Sequence, residues 1–174
     1  GALFAHPTAS ALLGGGKPEQ TVIWHDVIWR RARLDFLQDR PLPDMNGVDY
    51  KTCKSAHPDA IVRALWENNG VQQAAWYLDG MEAMGRAIRD RTKFLFICQE
   101  KTPPYVVTIG DMELDAIRWG RRLNARAVGI YQRCVATQRW PGYADEPVAV
   151  GLPTYAEYRL DAAMERGDFE VMSA

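Results

Sequence analysis

Three strand-like segments follow one another in the first third of the chain, and this run limits the folds that are open to it. Residues 21–24, 27–37 and 47–52 are rich in β-branched and aromatic side chains. Short turn-prone stretches separate them, which is typical of strands that pair antiparallel with their neighbours in sequence. We therefore expect a sheet that begins with three consecutive strands.

Segments with helical periodicity and two further strand-like segments follow these three strands. Proline at the start of a helix, apolar residues spaced three and four apart, and glycine at the end mark the helical segments. Two further apolar runs predict a hairpin whose strands are central in the sheet. The expected helices span residues 7–13, 58–69, 71–84, 111–138 and 154–166, and the expected hairpin pairs residues 93–99 with 105–109. This order predicts an α+β fold with a mixed central β-sheet flanked by α-helices.

Composition narrows the class of protein further. A chain of 174 residues with 47% hydrophobic residues is long enough for one substantial core, so we expect a single domain over residues 1–174. A net charge of −1 excludes a global field that would draw the chain to nucleic acid or an anionic membrane. Three widely spaced cysteines and the absence of a long apolar run predict a cytoplasmic protein without a membrane segment.

Two acidic residues and a lysine on consecutive predicted strands form the most informative pattern. Asp49 and Lys51 are two apart and share one face of a strand, and an antiparallel neighbour can bring Asp35 beside them. Two such carboxylates repel each other unless a cation lies between them, and hard oxygen ligands favour Mg²⁺ or Mn²⁺. The alternatives are a solvated strand face and a buried ion pair between Asp35 and Lys51.

Several runs around these residues resemble a known family. Six runs carry the resemblance, in this order within residues 18–143: P-E-Q-T-V-I-W, R-A-R-L-D-F-L, G-V-D-Y-K-T, Q-A-A-W-Y-L-D-G, Q-E-K-T-P-P-Y and Y-Q-R-C-V-A-T-Q-R-W-P-G-Y. Their order and spacing resemble the RecE/RecB-like exonucleases of the PD-(D/E)XK nuclease superfamily, in particular the phage and prophage exodeoxyribonuclease VIII-like proteins. This resemblance implies a restriction-endonuclease-like core.

The resemblance also implies a metal site and its ligands. Asp35, Asp49, the carbonyl of Tyr50 and Glu19 would bind the metal ion, and Lys51 would be the catalytic lysine. The expected metal is Mg²⁺, with Mn²⁺ able to substitute for it.

A second group of residues would act on DNA. Gln73 and Tyr77 match a Q-x-x-x-Y element, and their spacing places them on one helical face, where they could hold a phosphate or the attacking water. The alternative is an ordinary amphipathic helix with Tyr77 in the core. Arg31 and Arg33 are candidates for phosphate contact, and Trp29 for stacking on a DNA end.

The activity implied by the resemblance is Mg²⁺-dependent hydrolysis of DNA phosphodiester bonds. We expect a 5′-3′ exonuclease that acts on double-stranded DNA ends in phage-type recombination. A ring-like homo-oligomer and a single-strand annealing protein as a partner belong to the same expectation.

Two departures from the family pattern leave alternatives open. Leu34 stands where the family usually has proline, and His6 does not match the histidine that many members place before the first acidic residue. We therefore expect that histidine, if the protein has one, in a segment upstream of residue 1. A catalytically inactive DNA-binding or scaffold subunit of the same fold is one alternative. An unrelated domain in which Asp35, Asp49 and Lys51 form an internal ion-pair network is the other.

Overall fold

The computed structural model describes residues 1–169 and contains one five-stranded sheet. The sheet order follows the sequence, and only the third and fourth strands run parallel to each other. The predicted mixed sheet is thereby confirmed. The strands are β1 (Gly16–His25), β2 (Trp29–Gln38), β3 (Gly47–Cys53), β4 (Phe94–Glu100) and β5 (Val107–Asp111).

Helices cover the sheet and supply its one crossover. A parallel pair of strands needs a long connection, and two helices in succession connect β3 to β4. Two short helices precede β1, and the longest helix follows β5. The helices of this part of the chain are α1 (Ala2–Ala5), α2 (Pro7–Leu12), α3 (Pro58–Glu67), α4 (Gly70–Ala83) and α5 (Leu114–Thr137). These elements confirm the predicted α+β fold class.

Each face of the sheet has its own core. The larger core includes Leu34, Phe94 and Phe96 from the sheet together with Leu78 and Met81 of α4. The smaller core includes Ala9 and Leu12 of α2 packed with Val48 and Ile97. Alternate residues of β3 and β4 therefore face different cores, as the two-residue period of a strand requires.

Three details differ from the sequence-based expectations. The strand over residues 107–111 lies at the edge of the sheet, so the prediction that both strands of the second hairpin are central is wrong for β5. Its apolar residues pack on the smaller core under α2, which gives an edge strand the apolar pattern of a central one. The first strand starts at Gly16, five residues before the predicted start. Helix α1 was not predicted, because four residues carry no periodicity.

The chain divides into two compact units, residues 1–136 and 137–174. The second unit contains helix α6 (Thr154–Glu165), close to the predicted helix over residues 154–166. Large side chains of α6, including Tyr155, Tyr158 and Met164, are exposed. In the part of the chain that the structure describes, no helix combines the length and apolar character needed to cross a membrane.

Candidate active site

The sheet opens into a fork between β2 and β3, and the candidate site lies where it opens. The two strands pair only at Phe36 with Val48 and at Leu37 with Gly47. Beyond these pairs β2 stays beside β1 as far as Trp29. Asp35 and Asp49 are the next residues on the two strands, so the two carboxylates lie at the start of the opening.

A change in strand alternation places Asp35 at this point. Leu34 and Leu37 pack in the larger core, whereas Phe36 packs in the smaller one. Strict alternation would place residues 34 and 36 on the same face, so the phase of β2 changes between them. Asp35 Oδ2 accepts a hydrogen bond of 3.0 Å from the backbone N–H of Tyr50. The carboxylate thereby binds a backbone donor at the point where the ladder between the strands has ended.

Asp49 is the buried centre of the site. Its side chain is 1% exposed, and Gln73 Nε2 donates a 2.6 Å hydrogen bond to Oδ1. Lys51 Nζ lies 2.7 Å from Oδ2 as an ion pair. This ammonium offsets the burial of Oδ2, an oxygen that receives no other polar contact within residues 1–169.

The electrostatics of Asp49 follow from this burial. Loss of solvation raises the pKa of the Asp49 carboxyl to about 6, and repulsion from Asp35 acts in the same direction. The Lys51 ammonium and the Gln73 amide act in the opposite direction, because both stabilise the charged form. A carboxyl whose pKa is raised toward neutral pH in this way is common at functional sites.

The ion pair at the site differs from the one that the sequence left open, which was a buried pair between Asp35 and Lys51. The structure instead pairs Lys51 with Asp49 and gives Asp35 a backbone donor. Lys51 is also 39% exposed, so its ammonium reaches both the buried carboxylate and solvent.

Helix α4 contributes the two residues of the Q-x-x-x-Y element. Gln73 binds Asp49, and Tyr77 packs edge-on against Phe94 with ring centroids 6.0 Å apart. Burial raises the pKa of the Tyr77 hydroxyl, the Asp49 charge adds to this effect, and a hydrogen bond with Gln73 opposes it. Tyr77 is therefore a core residue at its ring and a site residue at its hydroxyl.

Glu19 and Tyr50 have other contacts. Glu19 lies in β1 with a left-handed φ of 57°, which is uncommon for a non-glycine residue. Its carboxylate forms a 2.5 Å ion pair with Arg33 Nε. The Tyr50 side chain packs in the smaller core, and its hydroxyl donates a 2.7 Å hydrogen bond to Gln99 Oε1. The structure thus brings together Asp35, Asp49, Lys51, Gln73 and Tyr77, and it pairs Glu19 with an arginine.

The donor set suits a hard divalent cation but is small. Within residues 1–169 no group of three or more His, Cys, Asp or Glu side chains lies close enough to hold a metal ion. Asp35 and Asp49 supply two carboxylates, and their mutual repulsion, which contributes to the raised pKa of Asp49, would be relieved by a cation bound between them. Oxygen ligands of this kind fit Mg²⁺, which commonly keeps several waters and binds through one or two carboxylates.

The arginines predicted for phosphate contact lie on the outer face of β2. Arg31 and Arg33 are both exposed, as is Trp29, whose ring touches His25 edge-on at 5.1 Å. Arg121 of α5 differs from these. Arg121 is 12% exposed and forms ion pairs with Asp79, Glu82 and Asp90, so it joins α5 to α4 rather than facing a ligand.

Two glutamines, Gln38 and Gln99, have structural roles that the sequence did not predict. Gln38 is fully buried, donates to the carbonyl of Leu12 and accepts from the backbone of Asn46, so it fixes the turn between β2 and β3. Gln99 holds the Tyr50 hydroxyl. A glutamine at the end of an apolar strand gives no signal that separates such a role from ordinary exposure.

Comparison with known proteins supports the fold. No model of a known protein family matches the chain, and no curated protein sequence matches it. The crystal structure of a protein from Eubacterium rectale named "Putative exonuclease" superposes with a TM-score of 0.63 at 12% identity. The match covers 90% of this chain and 61% of that protein, so this chain spans about three fifths of its length. A second structure, of the protein SSO0001, gives a TM-score of 0.41 at 14% identity over 78% of this chain.

The first of these likenesses establishes a shared architecture. A five-stranded mixed sheet flanked by helices, with acidic residues at a fork between strands, is consistent with a restriction-endonuclease-like core. The chain therefore shares the fold of that protein over most of its own length.

Proposed function

We propose that this chain is a metal-dependent deoxyribonuclease that hydrolyses DNA phosphodiester bonds. The observation that carries the proposal is the convergence of two carboxylates and an amine at the fork: Asp49 is buried with Lys51 Nζ 2.7 Å from its Oδ2, and Asp35 is the next residue across the opening. Burial and the Asp35 charge raise the pKa of Asp49 even with the Lys51 ammonium in contact, and a divalent cation between the two carboxylates would offset their repulsion.

Asp35, Asp49 and the carbonyl of Tyr50 would hold Mg²⁺, or Mn²⁺ in its place. The bound ion supplies Lewis-acid chemistry to the phosphate and lowers the pKa of a coordinated water. Glu19 would join these ligands only after leaving Arg33, to which it is now paired. The backbone donor on Asp35 and the Gln73 amide on Asp49 fix both carboxylates before a ligand arrives.

The remaining residues have distinct tasks in hydrolysis. Water attacks the phosphorus, and the bond from phosphorus to the leaving sugar oxygen breaks. Lys51 Nζ has three donors on a partly exposed side chain. It can orient the attacking water or stabilise charge on the phosphate oxygens. Gln73 and the hydroxyl of Tyr77 lie beside Asp49 and can bind a phosphate oxygen or the same water.

The finer assignment follows the family resemblance. We propose a RecE/RecB-like, 5′-3′ exonuclease that acts on double-stranded DNA ends in phage-type recombination within the cytoplasm. Residues 1–174 would form the nuclease domain, assemble as a homo-oligomer and work with a single-strand annealing protein. Arg31 and Arg33 would contact DNA phosphates.

Degradation of linear duplex DNA with Mg²⁺ tests this proposal. The wild-type protein should release nucleotides, and Asp49→Ala should lose at least about a hundredfold in rate, because removal of one strong electrostatic group from an active site typically costs this much. Asp59→Ala is the matched control, since that carboxylate is 91% exposed on α3. Equal rates for wild type and Asp49→Ala would reject the nuclease assignment.

A second candidate function is a catalytically inactive DNA-binding subunit of the same fold. The observation that favours it is the Glu19–Arg33 ion pair, which leaves two carboxylates at the fork. Such a subunit would bind duplex DNA with a steep salt dependence and release no nucleotides with either Mg²⁺ or Mn²⁺.

A further inference from the structure

The β1–β2 hairpin extends beyond the fork, and the proposed hydrolysis uses one face of it only for phosphate contacts. We call residues 20–34 the hairpin arm. Its inner face is buried in the larger core through Val22, Trp24, Ala32 and Leu34. Its outer face is exposed and carries Thr21, Ile23, His25, Trp29, Arg31 and Arg33.

The arm is held firmly against α4. Trp24 packs so closely on Gly80 that a Cβ atom there would lie 2.9 Å from the Trp24 ring. Trp76 Nε1 donates a 3.0 Å hydrogen bond to the carbonyl of Arg31. Arg30 lies over the Trp76 ring at 4.7 Å. The outer face is therefore presented in a fixed geometry, which reduces the entropy that a ligand must overcome on binding.

Large apolar groups are uncovered on this fixed face. Trp29 is 73% exposed. Ile23, two positions before His25 on β1, is 64% exposed. Single exposed apolar residues are ordinary. An exposed tryptophan on a rigid arm, however, offers a flat ring for stacking.

The charge on the same face is positive. Arg31 and Arg33 are exposed, and the one acidic residue between residues 21 and 33, Asp26 in the turn, is paired with Arg30. Arg33 is paired with Glu19 at the base of the arm. Arg31 has no side-chain ion pair within residues 1–169. The Arg31 guanidinium therefore lies between the Trp29 ring and the fork.

We propose that the outer face of the hairpin arm binds unpaired nucleotides of a DNA strand, with Trp29 stacking on a base and Arg31 contacting a phosphate. This inference rests on the proposed function and adds the form of DNA that the chain holds next to the site. Residues two apart on a strand are about 7 Å apart, a step similar to that between neighbouring phosphates of one strand. Trp29 lies six positions before Asp35 on β2, so the arm reaches roughly 20 Å from the fork.

The combination of groups favours an unpaired strand over the interior of a duplex. Every base has a face for stacking, but inside a duplex neighbouring bases cover that face, and only the terminal pair leaves one open. Proteins that bind single strands without sequence preference combine aromatic platforms with cations along the backbone. The hairpin arm has one such ring, Trp29, and one such cation, Arg31.

Binding of a fluorescent oligothymidylate in EDTA tests the proposal without cleavage. Trp29→Ala should weaken binding roughly tenfold, and Trp29→Phe should retain most of the affinity, because both rings can stack. Trp66→Ala is the matched control, since Trp66 is 64% exposed on α3 and should not change the affinity. Equal affinities for wild type and Trp29→Ala would overturn the proposal.

The salt dependence gives an independent readout. Arg31→Ala should reduce the slope of log affinity against log salt by about 0.7, the value for one phosphate contact on a single strand. Arg63→Ala, an exposed arginine of α3, should leave the slope unchanged. An unchanged slope in Arg31→Ala would remove Arg31 from the interface and overturn the proposal.

Two further outcomes separate this inference from its alternatives. If Trp29→Ala dissociates an oligomer in sedimentation and leaves oligothymidylate binding intact, the face is a protein interface and the proposal is wrong. If Asp49→Ala cuts normally while Trp29→Ala loses binding, the nuclease site assignment fails and the arm proposal stands.

Discussion

Gln73 donates a 2.6 Å hydrogen bond to the buried carboxylate of Asp49, and this bond joins α4 to β3 at the fork of the sheet. The amide stabilises the charged form of a group whose burial favours the neutral form. One contact therefore links α4 to the electrostatics of the site.

Removal of this amide should cost stability. Gln73→Ala leaves Asp49 Oδ1 without its donor, and an unsatisfied buried acceptor costs about 1–3 kcal/mol. We expect the free energy of unfolding in urea at pH 7 to fall by that amount. Gln20→Ala is the control, because the Gln20 side chain bonds only the nearby carbonyl of Pro18 and lies at an exposed site. Equal losses in the two variants would show that the Asp49 contact has no special weight.

The raised pKa of Asp49 should appear in the pH dependence of stability. In the unfolded chain the carboxyl titrates near 3.8, and in the metal-free fold near 6. Between these values the folded state binds more protons than the unfolded state, so stability falls as pH rises from about 4 to about 6 and then levels. The expected loss is on the order of 1–3 kcal/mol.

Asp49→Asn isolates that contribution. In urea unfolding with EDTA, the difference in stability between Asp49→Asn and wild type should grow in favour of the variant from pH 4 to pH 6. A difference that does not change with pH would mean that Asp49 titrates normally in the folded protein.

Two glycines of α5 provide an internally matched test of packing. At Gly120 a Cβ atom would lie 2.3 Å from the carbonyl oxygen of Val71 and 2.8 Å from the Cβ of Ala75, so α5 approaches α4 too closely for a side chain. At Gly129 a Cβ atom would meet nothing within 4 Å. We expect Gly120→Ala to destabilise the fold by about 1–3 kcal/mol.

Gly129→Ala should do the opposite. Alanine in an exposed helix interior is favoured over glycine by up to about 1 kcal/mol, so the melting temperature should rise. Thermal unfolding followed by circular dichroism compares the two variants directly. A stabilising effect of Gly120→Ala would contradict the close approach of α5 to α4.

Arg121 should matter for stability and not for DNA. It is 12% exposed and pairs with Asp79 at 2.8 Å, Glu82 at 2.5 Å and Asp90 at 2.9 Å. Arg121→Ala removes the partner that these carboxylates share and leaves each with one other arginine, Arg30, Arg89 and Arg118 in turn. We expect a cost of about 1.5–3 kcal/mol, the range for hydrogen bonds to charged groups. Arg122→Ala, which removes an exposed contact over Trp119, should cost less than about 1 kcal/mol. Similar losses in both variants would argue against a structural network around Arg121.

The sequence predicted the fold well because its signals were local. Strand and helix segments follow from periodicity and turn residues, and the two-residue period of β3 places Asp49 and Lys51 on one face, where Nζ lies 2.7 Å from Oδ2. The edge position of β5 could not be read, because an edge strand packed under α2 is as apolar as a central one.

The contacts of the site depend on tertiary geometry that no local pattern contains. The phase change of β2 at Asp35 and the bond from Gln73 require the fork and the position of α4. The left-handed backbone of Glu19 and its pairing with Arg33 likewise leave no trace in composition. For Arg121, the sequence showed a helix rich in arginine but not the three acidic residues it binds.

Calorimetric titration with Mn²⁺ tests the central claim most directly, since it asks whether the fork binds a divalent cation. The account predicts a heat of binding near one ion per chain for wild type and for Asp59→Ala, and its loss in both Asp35→Ala and Asp49→Ala. Binding that persists unchanged in Asp35→Ala and Asp49→Ala, or its absence in the folded wild-type protein, would contradict the account.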